Sequence, residues 1–323
     1  MPYNLVLNSS NVIGSNNTEY KYNFINGCFN INEGSEMCIS QLVIPYSWFN
    51  INKQYYNNAT LSYKWFYGAG LYNTYMVTFP NGFYTTSDLN NYLALYMISQ
   101  NQYFYNSTTG NNLYYIEIVI NTTYYANQII FNPIPTSVPS GYTAPSAGFN
   151  YNNGTNYGYP SSSSYSYTPQ IIIANYIGSA SIGSIIGFTS GTYPPTLQLV
   201  AYNVLSNITP NSTPINSIIV RCDMVNNQCA MPSDILDTFS INSTFGSNIV
   251  YVPSYEKWVT IQEGTYNNMT VILQDQNFNT IEANDSNILI ALSLRQGPKQ
   301  IKTNEIKTNE IINNSIIKSL NLP

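Results

Sequence analysis

The stretch RCDMVNNQCAMPSDIL, residues 221–236, gathers two thiols, Cys222 and Cys229, two carboxylates, Asp223 and Asp234, and the guanidinium of Arg221. In a chain with only 8% charged residues, such a cluster is the first place to look for metal, redox or acid–base chemistry. The spacing argues against each. Cys28, Cys38, Cys222 and Cys229 form no C-x-x-C pair, and without any histidine the usual zinc sets cannot be completed. Cys222 and Cys229 flank DMVNNQ, whose Asn226–Asn227 would form a turn, so a cross-hairpin disulfide is geometrically open. The N-terminus lacks the basic flank and apolar block of a secretory signal, which favours packed, reduced thiols.

The other chemical candidates fare no better. DQNFN, 275–279, opens like a calcium loop with Asp275, Asn277 and Asn279 at alternate positions. However, Thr280 stands where the loop needs Gly and Ser286 where it needs a bidentate Glu, so a polar turn is expected. No G-x-S-x-G and no G-K-[ST] occurs, and GAG at 68–70 lacks a third glycine. The carboxylates available for glycoside cleavage are Asp223, Asp234, Glu256 and Glu263, and their spacing selects no pair. The absence of histidine removes the commonest general base, and no charge at all occurs from Ile118 to Val220. These observations predict no catalysis, no cofactor and no metal.

The elements around these residues are strands. YKYNF sets Tyr20, Tyr22 and Phe24 on one face, and TLSYKW does so with Leu61, Tyr63 and Trp65. YYIEIVI does it with Tyr114, Ile116, Ile118 and Ile120, and NMTVILQ with Met269, Val271 and Leu273. NILIALSL aligns Ile288, Ile290, Leu292 and Leu294. One helix is expected in TTSDLNNYLALYM, where Thr85 precedes Asp88 at capping-box spacing and Leu89, Leu93, Tyr96 and Met97 share a face. A shorter helical turn is expected after Pro232 in PSDILDTF. Many short strands with so little helix predict an all-β sandwich or barrel.

The 323 residues are 44% hydrophobic, enough for a large folded unit, and the net charge of -5 without a basic run excludes a nucleic-acid binder. IIIANYIGSASIGSIIGF, 171–188, is long and uncharged, but Asn175, glycines and serines interrupt it; it reads as buried strand plus turn, not a membrane span. Residues 132–169, rich in Pro, Gly, Ser and Tyr, are expected to form a long surface insertion that contributes little stability. The tandem IKTNEIKTNE at 301–310 opens a tail whose isoleucines fit neither helix nor strand spacing.

Several stretches, in this order, resemble the single jelly-roll penton and minor capsid proteins of Sputnik-type virophages and polinton-like viruses. EGSEMCISQLVIPYSWFNINKQYYNN, 33–58, carries the pattern through Pro45, Ser47, Asn50, Asn57 and Asn58. TFPNGFYTTSDLNNYL, 78–93, carries it through Pro80, Gly82, Tyr84 and Leu89, and IIGF through Gly187 and Phe188. Residues 218–240 and 245–295 resemble the family's closing strands, which makes 221–236 a strand, a turn and a helical turn, not a catalytic site.

The resemblance covers about residues 1–296 and implies an eight-stranded jelly-roll sandwich. Its implied function is a virion protein, assembled in an infected cell, that forms pentamers at icosahedral vertices beside capsomers of the major capsid protein. A jelly-roll domain is thus expected over 1–298 and a tail over 299–323. In that tail Ile301, Ile306, Ile311, Ile312, Ile316 and Ile317 are candidate contacts to a neighbouring subunit or capsomer. Two other readings stay open: a receptor-binding or lectin-like sandwich whose Tyr-rich loop takes a host receptor or glycan, and a non-vertex cement protein. A carbohydrate-active enzyme would require a carboxylate pair facing a cleft.

Overall fold

In strands that bury one face, alternation in sequence becomes alternation in burial. The computed structural model, which describes residues 3–68, 70–150, 166–174 and 181–297, shows this along the chain. Its first strands are β1 (Tyr3–Asn8), β2 (Glu19–Asn23) and β3 (Glu36–Pro45). Next come β4 (Thr60–Phe66), β5 (Tyr72–Thr78), α1 (Thr86–Ser99), β6 (Ile116–Asn121) and β7 (Ala126–Phe131). They are followed by β8 (Gln170–Ile173), α2 (Gly183–Ile186), β9 (Gly191–Tyr193) and β10 (Tyr202–Leu205). The chain then runs through β11 (Ser217–Cys222), β12 (Ile235–Ser240), β13 (Asn248–Tyr251), β14 (Asn268–Asp275) and β15 (Leu289–Arg295).

The span 1–298 read from the sequence holds two compact units. Among the described residues one is formed by 3–48 and 215–297, the other by those of Phe49–Pro214. The first unit contains two antiparallel sheets, ordered β1-β15-β3-β13 and β12-β11-β14-β2. Numbered by their order within this unit, the strands run 1-8-3-6 in one sheet and 2-7-4-5 in the other. That interleaving is the jelly roll, a hairpin of strand pairs wrapped around a common core. The fold class expected from the sequence is therefore present, and its eight strands come from the two ends of the chain.

Packing explains why this order holds. β14 alternates perfectly, burying Met269, Val271, Leu273 and Asp275. β15, central between β1 and β3, buries Ile290, Leu292 and Leu294 by plain alternation, and a bulge that leaves Ser40 of β3 unpaired in the ladder lets Met37 and Ile39 as well as Leu42 and Ile44 be buried. Each such side chain contributes about 1.5–3 kcal/mol of transfer free energy. Aromatic contacts close both lateral edges of the sandwich. At one edge Phe24 stacks on Phe29 at 5.2 Å, with Tyr3 edge-on to Phe29 at 5.4 Å. At the other, Phe239 of β12 stacks on Tyr251 of β13 at 4.4 Å.

The second unit pairs β10-β7-β6 in one sheet and β9-β8-β4-β5 in another. Its core is aromatic: Trp65, Tyr63, Tyr115, Phe104 and Phe149 are all buried, and Phe104 stacks on Phe149 at 4.4 Å. Helix α1 begins as its sequence predicts. Thr85 Oγ1 accepts from Asp88 N at 3.2 Å, Asp88 Oδ2 accepts from Thr85 N at 2.9 Å, and Leu89, Leu93 and Met97 are buried.

Three sequence expectations are corrected and one is refined. Residues 235–240 after Pro232 form strand β12, not a helical turn, because Ile235–Ser240 pairs with β11 and buries Leu236 and Phe239. The reversal between Cys222 and Ile235 is a wide loop with turns at 223–224 and 228–229, while Val225 bridges to Ile261, so Asn226–Asn227 is not the turn. Segment 171–188 holds the expected buried strand, β8, and in addition the one-turn helix α2, which periodicity of two could not reveal. The ends of the 132–169 insertion are not idle surface: Ile134, Phe149, Asn150 and Thr168 are buried. The remainder of that insertion, 151–165, and the tail 299–323 lie outside the described residues.

Candidate functional site

The opening stretch resolves into strand-end chemistry. Arg221 of β11 donates from Nε and Nη2 to the Asp234 carboxylate at 2.7–3.1 Å and from Nη1 to Gln274 Oε1 at 2.8 Å. Asp223 Oδ1 accepts from Thr270 N at 2.9 Å, tying the loop to β14. Glu256 accepts from Trp258 Nε1 at 3.0 Å. Asp223, Asp234 and Glu256 are thus engaged in holding strands and loops, and no two of them share a hydrogen-bonding partner; the fourth candidate, Glu263, is exposed. All four cysteines are free thiols: Cys38 and Cys222 are packed as the sequence predicts, whereas Cys28 and Cys229 are exposed. Burial pushes Cys222 up to about 12 and Cys38 up to about 11, so both stay protonated and unreactive at neutral pH.

Asp275 likewise has a structural task. Its Oδ1 accepts from Asn277 N and Asn279 N, both at 2.8 Å, and its Oδ2 from Asn279 Nδ2 at 3.0 Å. The loop that opened like a calcium site is an Asx turn whose carboxylate is filled by N–H donors. Among the described residues no group of three or more His, Cys, Asp and Glu could hold a metal ion, and no helix is long and apolar enough to cross a membrane.

Sequence reasoning missed one charged cluster. Asp237, 7% exposed on β12, accepts from Lys257 Nζ at 2.8 Å and from Tyr251 Oη at 2.6 Å. The hydrogen bond to Asp237 holds the Lys257 ammonium well above the ordinary lysine range. Spacing could not find it, because the three residues meet only when β12 and β13 sit on neighbouring sheet edges.

The motif residues of the resemblance come together in two places. Ser47 Oγ accepts from Asp285 N at 3.1 Å, and its carbonyl accepts from Asn284 Nδ2, while Pro45 closes β3 opposite Asn248. In the second unit, Asn50 is a buried clamp. Its Nδ2 donates to the carbonyls of Tyr84 and Ser212, both at 2.8 Å, and its Oδ1 accepts from Tyr84 N at 2.8 Å. Asn58 Nδ2 donates to Asn50 O at 2.8 Å, and Asn58 Oδ1 accepts from Asn52 N at 3.0 Å. Asn57 turns the chain between them with φ 47°, a region Asn tolerates.

Ile51 and Gly82 exchange backbone hydrogen bonds at 3.0 Å, and Tyr84 Oη donates to Pro80 O at 3.1 Å. Asn50 therefore joins the entry of the second unit to its exit near Ser212. Gly187 ends α2 at φ 84°, where a Cβ would lie 2.6 Å from Ile208 O, so only glycine fits there. Phe188 beside it is buried against Tyr193. These residues build the scaffold and touch no reactive group. The tail candidates Ile301, Ile306, Ile311, Ile312, Ile316 and Ile317 lie outside the described residues.

No protein-family model and no curated protein matches the chain. Among solved structures it is similar to the mavirus penton protein, with a TM-score of 0.41 and 9% identity over 91% of this chain and 97% of that one. It is also similar to a chain of the Sputnik virophage structure, with a TM-score of 0.35 and 11% identity over 91% of this chain and 96% of that one.

Proposed function

We propose that this chain is a non-catalytic virion protein: a penton that closes the icosahedral vertex as a homopentamer beside capsomers of the major capsid protein. The observation that carries the reading is the strand order of the first unit, a jelly roll split at one connection to admit a second β unit. The ordered motif residues of the sequence support it, since they converge on the clamps around Ser47 and Asn50. Function on a shared fold must be argued from sites, and here Asp223, Asp234, Glu256 and Asp275 hold strands and loops, Cys38 and Cys222 are buried, and Cys28 and Cys229 are exposed singly. What remains is surface: Tyr3, Val6 and Ile25 are exposed at one edge of the jelly roll, and Val250, Val252 and Tyr255 at the other.

Two different apolar edges on one subunit suit a head-to-tail contact, which closes into a ring when the rotation per subunit divides the circle. The isoleucine-bearing tail, 299–323, supplies a further contact to a neighbouring subunit or capsomer. The test is electron microscopy and native mass spectrometry of the full-length chain and of a chain lacking 299–323. Five-membered rings that are lost on deletion, with an unchanged melting temperature, support the proposal. Full-length protein that stays monomeric alone and with the major capsid protein refutes it. Deletion that unfolds the monomer refutes the role given to the tail.

A further inference from the structure

The second unit carries a cavity of about 250 Å³ that none of the scaffold residues above requires. It lies between the β6–β7 hairpin, the first residue of α1 and the segment Pro210–Ser212. Its floor is polar and fixed. Thr86 and Asn127 are buried, Thr86 Oγ1 donates to Asn127 Oδ1 at 3.0 Å, and Asn127 Nδ2 donates to Ile186 O at 3.2 Å. The lining also includes Thr122 and Ser212, whose side chains make no hydrogen bond within the described residues.

Two features of the wall are not set by burial in the core. The alternation that buries Ile116 and Ile118 should bury Ile120, yet Ile120 is 60% exposed and lines the cavity. Tyr125, 80% exposed, sits in the left-handed region at φ 50°. Elsewhere the described residues give that backbone shape to Asn17, Asn57 and Asn101, the residue type that accepts it at least cost, and to one other aromatic, Phe278, in the turn after β14. An exposed aromatic held at a strained corner beside a cavity points to a contact made by its ring.

The chemistry of the lining selects the occupant. No formal charge borders the cavity, and none occurs in the chain from Ile118 to Val220, so a phosphate, carboxylate or ammonium would find no counter-charge. Hydroxyl and amide groups face an aromatic and aliphatic wall, which matches a neutral ring that has hydroxyls on its rim and an apolar C–H face. The volume of about 250 Å³ is enough for one such ring. We infer that this cavity binds a neutral monosaccharide unit of a glycan, with the Tyr125 ring as its stacking platform. This rests on the reading of the chain as a virion surface protein, for which a glycan contact would serve attachment.

The experiment is saturation-transfer NMR of the full-length chain with the methyl glycosides of galactose, mannose, fucose and N-acetylglucosamine, and with N-acetylneuraminic acid. At least one neutral glycoside is expected to bind with a millimolar dissociation constant, and the anionic sugar is not. Tyr125→Asn, which restores the residue type the backbone prefers, should melt at the same temperature or higher and bind about tenfold more weakly. Tyr124→Ala, at the neighbouring exposed position, should leave binding unchanged. No saturation from any neutral glycoside, equal binding of N-acetylneuraminic acid, or full binding by Tyr125→Asn would each overturn the proposal. Ring formation measured on the same samples reports separately on the capsid reading.

Discussion

The jelly-roll unit and the inserted unit solve the same problem, holding loops onto strands, with different chemistry. All three ion pairs among the described residues, Arg221–Asp234, Lys257–Asp237 and Arg295–Glu36, belong to the jelly roll. The inserted unit has Lys53, Lys64, Asp88 and Glu117 as its only charges and relies on asparagine clamps at Asn50, Asn52, Asn58 and Asn127. A neutral amide can satisfy a buried carbonyl and a buried N–H at once without the desolvation cost of an ion. The difference teaches that the low charge of this chain is local: one unit uses ions at its strand ends, and the other nearly dispenses with them.

The largest effect expected lies in the inserted unit, where Phe149→Ala removes the ring stacked on Phe104 and packed against Trp65 and Tyr115. A loss of about 3–5 kcal/mol by urea denaturation is expected. A loss below 1 kcal/mol would show that the 132–150 segment is peripheral after all. Next, Asn50→Ala should cost about 2–4 kcal/mol, because the Tyr84 N–H and two carbonyls lose their partner. That cost should not change between low and high salt.

Its counterpart in the jelly roll is Asp237→Ala, which leaves Lys257 and Tyr251 without their shared acceptor. Lys257 is partly solvated, so about 1–3 kcal/mol is expected, shrinking as salt is added. If both variants respond equally to salt, the contrast between the units fails. The Lys257 contribution is fully present below the usual lysine value of 10.5 and is lost as pH rises through its raised value.

The smallest effect is at the α1 cap. Hydrogen bonds from Thr85 hold the Asp88 carboxyl below its usual 3.8. A depressed carboxyl stabilises the fold at neutral pH and loses that contribution as pH falls through the depressed value. Thr85→Ala should therefore cost about 1 kcal/mol at neutral pH, measured by thermal melting, with the gap to the parent chain narrowing below pH 3.8. An unchanged gap in acid would mean that the side-chain oxygen alone, not the charge, makes the cap.

What the sequence revealed follows the range of each interaction. The burial patterns of β14, β15 and β4 and the Thr85 cap are local, so alternation and spacing disclosed them. The pairing of Tyr3 with Leu294, and the division after Trp48 and before Ile215, depend on partners hundreds of residues away and leave no local mark. Pro232 suggested a helix start, but the inward Leu236 and Phe239 fix a strand. Composition made 132–169 look dispensable, because two buried residues, Ile134 and Phe149, are invisible in an average. Asn50 was singled out by the order of motifs and not by chemistry, since nothing in one asparagine among many predicts three hydrogen bonds.

The central claim is tested most directly by a cryo-electron reconstruction of shells assembled from this chain co-expressed with the major capsid protein. The account predicts one ring of five copies filling every vertex, with the jelly-roll edges bearing Tyr3 and Val250 facing each other between neighbouring copies. Shells whose vertices lack this chain, or that carry it only between hexagonal capsomers away from the five-fold axes, would contradict it.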